Sequence, residues 1–295
     1  MEDLQTLSRD DQTHRETCGD IFHVENDVSK DGLAVSEEEY WEIYYNDPDF
    51  VYEWNNGCLE VKPMSDVKGS KSYRWFCTVL DCYLTAYPVG TAVSLEIGFR
   101  ISLPHKTSAR IPDLAVVLDN NPVSINNDDR SYSGIFDLCI ESLSHSSLKE
   151  ITRDTVDKKD EYKGAGVKEY YILDARALET AFYRRDRHGN YKHIRPVKGD
   201  IIRSGILPGF QFRISDLYTR PSLEELAEDE VYHDYIFPSY KEVKQRAEEA
   251  EHRAEQETEL RKQETARAEQ ERLRAERLAE KLRAMGIDLN EIGEF

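Results

Sequence analysis

No stretch of this 295-residue chain approaches the ~20 consecutive apolar residues that a membrane span requires. The first twenty residues, MEDLQTLSRDDQTHRETCGD, also lack the apolar centre of a secretory signal. No membrane partner is expected, and a cytoplasmic location is. Cysteine is scarce: Cys18, Cys58, Cys77, Cys82 and Cys139 are odd in number and form no CxxC pair. That argues against a disulfide framework and leaves free thiols in a reducing compartment. Cys77 and Cys82 could ligate a metal, but no second pair accompanies them, and buried apolar thiols are the simpler account. Positive charge is in deficit, with 39 Lys and Arg against 58 Asp and Glu and a formal charge of −19. Such a chain does not coat nucleic acid through bulk charge. It can still hold an acidic site that needs a cation. GxSxG, GxxxxGK[ST] and GxGxxG are all missing, so there is no sign of a nucleophile elbow, a phosphate loop or a dinucleotide fold. His145 stands between Ser144 and Ser146, yet neighbours in one loop seldom form a triad. No basic patch stands out. Lys68, Lys71 and Arg74 are the nearest thing to phosphate contacts, with solvated surface as the plainer reading.

What is present falls into four parts. Residues 1–34 are polar, without periodicity, and are read as a mobile acidic tail. From Ser36 the spacing predicts a helix, with Ser36 and Glu39 as a capping box and Tyr40, Ile43 and Tyr44 on one face. FVYEWNNGCLEV alternates on either side of Asn56-Gly57, which is a hairpin signal. A helix follows over 69–87, and then AVSLEIGFRISL, whose alternation predicts one half-buried strand carrying Val93, Leu95, Ile97, Phe99 and Ile101. DLAVVLD (113–119), IFDLCIES (135–142) and KEYYILDA (168–175) are nearly continuous apolar runs, as expected of strands covered on both faces. A polar helix over 146–165 links the last two. A hairpin turning at His188-Gly189-Asn190 ends the pattern, with His188 and His193 read as surface. Together, residues 35–220 predict an α/β domain with a mixed β-sheet core flanked by helices.

Residues 221–239 are read as an acidic linker helix, and 240–295 as a long charged helix. Glycine and proline are missing from 240–284, which carries 12 basic and 12 acidic residues. One helix of about 65 Å follows at 1.5 Å per residue. Ala247, Ala250 and Ala254 fit a coiled-coil seam, as do Ala268, Ala275, Leu278, Leu282 and Met285. Glu257, Arg261, Glu264 and Glu271 interrupt it. A single helix held by Glu–Arg pairs four residues apart and a weak coiled-coil homodimer both fit this pattern. The end, MGIDLNEIGEF, could cap such a dimer.

The chemistry concentrates between Arg110 and Asp174. Asp113 opens one apolar run and Glu141 lies near the end of the next. Buried strands rarely hold carboxylates without a reason. Two carboxylates on adjacent strands suit Mg²⁺ or Mn²⁺, which take oxygen ligands. The plainer reading is a loop-capping Asp and an exposed Glu at a strand end. Lys158, on the helix that follows, could orient a water and stabilise negative charge beside such a metal. Asp154 lies four residues before it, on the same face if that helix is regular.

RIPDLAVV, then FDLCIESLSHSS, then RDTVDKKDEYKGAGVKEYYILD together resemble the Uma-type putative restriction endonuclease family of the PD-(D/E)XK nuclease superfamily. VYEWNNGCLEVKPMS resembles the hairpin upstream in that family. The resemblance covers about residues 36–218. It implies a restriction-endonuclease-like fold and metal-dependent hydrolysis of DNA phosphodiester bonds. Asp113, Glu141 and Lys158 would be catalytic, with Asp113 and Glu141 holding Mg²⁺ or Mn²⁺. Glu53, in the first hairpin, and Asp154 could join them. The superfamily's Lys normally follows the acidic residue by two, where this chain has Leu143, so Lys158 takes that role. The family's Ser-Pro-Ser reads Ser144-His145-Ser146 here, and its His after the first hairpin has no counterpart at 69–72. Two expectations of different kinds result: a DNA endonuclease, or a catalytically idle relative acting as an interaction module through its C-terminal helix.

Overall fold

The computed structural model describes residues 28–285 except 95 and 239, and describes no side chains for 240–245. Residues 1–27, most of the expected tail, and 286–295, the expected dimer cap, lie outside the described residues. The described chain divides after Lys62 into two compact units.

The first unit is built on a hairpin. β1 (Tyr52–Asn55) and β2 (Cys58–Val61) pair antiparallel, Tyr52 opposite Val61. Asn56 and Gly57 both have positive φ, 48° and 101°, the backbone of a two-residue turn that matches strand twist. The hairpin gains a third run. Gly32 N donates to Leu59 O and Leu59 N donates to Leu33 O, so the end of the expected tail is paired backbone. Helix α1 (Glu37–Glu39) starts at Ser36, whose hydroxyl accepts from Glu39 N at 3.1 Å. It widens at once into a π-helical turn, Tyr40–Tyr44, closed by Tyr45 N to Tyr40 O at 2.8 Å. Tyr40 and Tyr44 are buried, as expected. Ile43 is 56% exposed, because the wider turn takes it off their face.

The second unit is organised around a six-stranded sheet. Its elements are helix α2 (Val67–Ala86), β3 (Gly90–Ser94), β4 (Gly98–Leu103), β5 (Lys106–Arg110), β6 (Leu114–Leu118), β7 (Ser131–Tyr132) and β8 (Leu138–Ser142). The helix α3 (Leu148–Thr152), a π-helical turn (Arg153–Lys158) and α4 (Lys159–Ala165) then run on as one. β9 (Glu169–Leu173), β10 (Ala181–Arg185) and β11 (Tyr191–His193) follow. The sheet order is β11-β10-β9-β8-β6-β3. Within this sheet β8 and β9 pair parallel and the other neighbours antiparallel, and the helix over 148–165 is the crossover a parallel pair requires. β6 and β9 are buried at every position and β8 at four of five, which explains their unbroken apolar runs. Side chains then divide between two cores. Leu114, Val116, Leu138, Ile140 and Tyr171 face α2 and its neighbours, and Ala115, Val117, Cys139, Tyr170 and Ile172 face Tyr162 of α4.

Two expectations fail here. The alternation over 92–103 is not one strand. β3 pairs with β6 in the six-stranded sheet, whereas β4 pairs with β5 in another. Alternation persists because both strands are half-covered, so the change of sheet leaves no mark in it. Leu95 lies outside the described residues. Nor is 221–239 a linker. After β12 (Ile201–Arg203), β13 (Gln211–Arg213) and α5 (Asp216–Thr219), helix α6 (Leu223–Glu228) and the turns beyond it bury Leu226, Ala227, Val231, Tyr232, Tyr235 and Ile236 in the core. Their acidic neighbours disguised this segment.

Helix α7 (Tyr240–Ala284) is a single 45-residue helix. From Arg246 to Met285 every side chain is exposed except Ala279 and Leu282, which are half-buried. Pairs such as Arg261 Nη2 to Glu257 Oε1 at 2.7 Å lace its surface.

Candidate active site

Asp113 immediately precedes β6, and Glu141 lies on the adjacent β8, where Leu114 faces Ile140 in the antiparallel register. Tertiary structure therefore brings the two carboxylates to neighbouring positions. Asp113 is held from both sides: its Oδ2 accepts from Ser142 N at 2.7 Å, and its carbonyl accepts from the Tyr73 hydroxyl at 2.6 Å. Glu141 is buried to 1%, so the reading of an exposed strand-end Glu fails. Its Oε1 accepts from the Tyr162 hydroxyl at 2.7 Å, and its Oε2 lies 3.1 Å from Lys158 Nζ.

Lys158 is itself buried. Its ammonium also meets Asp154 Oδ1 at 3.3 Å, so one Lys bridges two carboxylates. The π-helical turn over Arg153–Lys158 turns Arg153, Asp154 and Lys158 all inward. A wider i→i+5 turn is rare and often falls at functional positions. No sequence signal marks it, since it needs neither glycine nor proline. Tyr170, on β9, donates to Asp154 O at 2.8 Å and ties the turn to the sheet.

Two contributors were missed by sequence reasoning. Tyr162, one turn beyond Lys158, holds the other oxygen of Glu141. Arg110 and Glu161 form a buried fork: Nε to Oε2 at 2.6 Å and Nη2 to Oε1 at 2.8 Å. Ser108 Oγ and Lys106 Nζ complete it at 3.1 and 2.5 Å. This fork fastens α4 to β5, two residues before Pro112-Asp113. Removing the Tyr162 hydroxyl tests the near side of the site. Tyr162→Phe is expected to lose a hydrogen bond to a charged acceptor, about 1.5–3 kcal/mol of stability, read as a lowered urea midpoint.

Other candidates resolve differently. Glu53 is fully buried on β1 in the first unit. His145 Nε2 lies 2.8 Å from Asp174 Oδ1, while the Ser144 and Ser146 hydroxyls lie 2.6 Å apart and each reaches Glu150. No serine hydroxyl is thus placed on His145. Burial pushes the Cys77 thiol up to about 11 and the Cys82 thiol up as well, the opposite of what a thiolate ligand needs. Among the described residues, no three His, Cys, Asp or Glu gather as a metal cluster.

A solved structure of a putative nuclease of DUF820 from Anabaena variabilis is similar at 16% identity, over 63% of this chain and 98% of its own, with a TM-score of 0.49. No curated protein sequence matches the chain. The family model Uma2, Putative restriction endonuclease, matches residues 37–215, more than half of the length. With that match, the chain belongs to the Uma2 family of restriction-endonuclease-like proteins.

Proposed function

We propose that the chain is a metal-dependent endonuclease that hydrolyses DNA phosphodiester bonds, with Asp113, Glu141 and Lys158 as its catalytic residues. The observation that carries this is the Lys158 ammonium, buried 3.1 Å from Glu141, on the strand next to the one that Asp113 precedes. A buried lysine between carboxylates costs desolvation that a purely structural pair seldom repays. A site that must meet a phosphate gives that cost a purpose.

The donor set fits the expected ion. Mg²⁺ and Mn²⁺ accept one or two carboxylates and complete their shell with water and substrate oxygens. Asp113, at the head of β6, and Glu141, on β8, are two such carboxylates on neighbouring strands. When bound, the ion would supply Lewis-acid polarisation of the phosphoryl group. The chain's own residues do the rest. Lys158 orients the attacking water and offsets charge gathering on the phosphoryl oxygens. Tyr162 and the Ser142 backbone fix the carboxylates, and Asp154 steadies Lys158.

The test is incubation of purified protein with supercoiled plasmid and with a duplex RNA, each in Mg²⁺, Mn²⁺ and EDTA. Nicking or linearisation of the plasmid in metal but not in EDTA is expected. Inactivity on DNA under every metal favours the idle interaction module instead. The exposed length of α7 makes a homodimer part of the same proposal. By light scattering the full chain is expected to run at twice its 34.2 kDa chain mass, and a version ending near residue 239 at its own single-chain mass. Equal monomeric states would remove the dimer.

A further inference from the structure

Sequence reading found no basic patch, yet one forms where β10, β11 and β12 meet. Residues 184–203 carry seven Lys and Arg against two Asp, in a chain where acid exceeds base by nineteen. Arg184, Arg185, Lys192, His193, Arg195 and Arg203 line a groove of about 390 Å³ there. The pattern is hard to see in sequence because β10 and β11 contribute from opposite arms of a hairpin, Arg184 opposite Lys192 and Arg185 opposite Tyr191. Arg203 arrives from β12.

The groove's negative charge is already committed. Asp186 accepts from the His188 and Asn190 backbone N–H groups, each at 2.9 Å, and so closes the hairpin turn. Asp200, outside the groove lining, accepts from Ser215 N at 2.9 Å. Some of the cations are committed too. Arg184 pairs with buried Glu169 at 2.6 Å, and Arg185 reaches Lys163 O at 3.2 Å. Lys192 and Arg195 stand exposed at the rim. An edge strand such as β11 needs only one or two charges to discourage pairing with another sheet. An open cationic groove on an acidic protein is more than that purpose requires.

We infer that this groove holds the phosphate backbone of a nucleic-acid duplex, at a distance from the carboxylates. The inference rests on the endonuclease reading and adds to it a second point of contact. Arg184 faces Glu169 on β9, while Glu141 faces Ile172. Glu169 shares the sheet face of Tyr171 and Ile172 the face of Tyr162, so Arg184 and Glu141 stand on opposite faces, and the groove at the β11 edge is a contact remote from the carboxylates. In an acidic protein, a local cationic track is what would bring a polyanion onto the sheet.

The experiment measures fluorescence anisotropy of a labelled 30-base-pair duplex with the full chain in EDTA, so that no cleavage intervenes, across a series of salt concentrations. Lys192→Glu/Arg195→Glu is compared with wild type, with the milder Lys192→Gln/Arg195→Gln, and with Arg274→Glu/Arg277→Glu on α7. Circular dichroism checks the fold of each. The groove glutamate variant is expected to weaken binding roughly 10-fold or more, and to lower the slope of log K against log salt by about 2. The glutamine variant should fall between, and the α7 variant should bind as wild type. Unchanged affinity and slope in the groove variants overturn the inference, as does an equal loss in the α7 variant. Competition by polyglutamate as effective as by unlabelled duplex also overturns it. Binding that depends on the groove in a protein that cuts nothing keeps the inference and removes the nuclease. Cleavage by a groove variant that binds undiminished does the reverse.

Discussion

Lys158→Ala is expected to slow plasmid cleavage by about 10²–10³-fold, the range found when one charge-stabilising group is taken from a preorganised site. The loss should fall on kcat rather than KM, because the ammonium acts on charge that develops only at the reacting phosphoryl group. Lys158→Ala also removes the cation between Glu141 and Asp154, which would leave two carboxylates in a buried setting. Fold must therefore be followed alongside rate. Lys158→Met keeps the aliphatic stem and is the better-folded comparison. Both variants should be equally inactive. A Lys158→Met enzyme that folds and cuts at the wild-type rate would remove Lys158 from the mechanism.

The second large effect is on stability. Arg110→Ala is expected to cost about 3–5 kcal/mol, because it leaves the Glu161 carboxylate buried without its fork partner. Glu161 is almost fully buried, so water cannot compensate. The melting temperature should drop by many degrees, and α4 should loosen first. Burial raises the pKa of Glu161, but the bonds from Arg110 and Lys106 outweigh it and hold the carboxyl below its ordinary value of 4.5. A depressed folded pKa contributes stability that is present above the ordinary value and is lost as pH falls through the folded one. Wild-type stability should therefore decline as pH drops below about 4.5, and Glu161→Gln should flatten that decline while lowering stability at neutral pH. Urea midpoints from pH 3 to pH 7 read both. A Glu161→Gln curve parallel to wild type across that range would show the fork to be energetically idle.

Much of the framework is legible in the sequence because burial on both faces leaves a mark. LAVVL, LCIES and EYYIL are strands for the same reason they are apolar, and the polar helix between the last two marks a parallel crossover. Asp113 and Glu141 stand out for the complementary reason, as charge where charge is costly. What escaped is what has no local pattern. The chain leaves one sheet for another between Ser94 and Gly98 without breaking its alternation. The strand Lys106–Arg110 is too polar to resemble one, since its burial depends on Glu161, fifty-one residues away. The wide turn at Arg153–Lys158 uses ordinary helix formers. The buried stretch from Leu226 to Ile236 is masked by acids that face solvent. In the site, Lys158 was legible as a basic residue on the right helix. Its bridge to Glu141 and Asp154, and the Tyr162 bond on the far oxygen, emerge only from packing. The basic groove is likewise a product of the fold, gathered from two arms of a hairpin and a third strand.

The most direct test of the central claim sets wild type beside Asp113→Ala on supercoiled plasmid, with Mg²⁺, with Mn²⁺ and with EDTA. Asp113 is half-buried whereas Glu141 and Lys158 are buried, so its loss tests the site with less disturbance to the core than theirs. Cleavage by wild type in either metal, abolished by EDTA and by Asp113→Ala alike, is the predicted result. Metal-dependent cleavage that survives intact in a folded Asp113→Ala protein would contradict the site proposed for this chain.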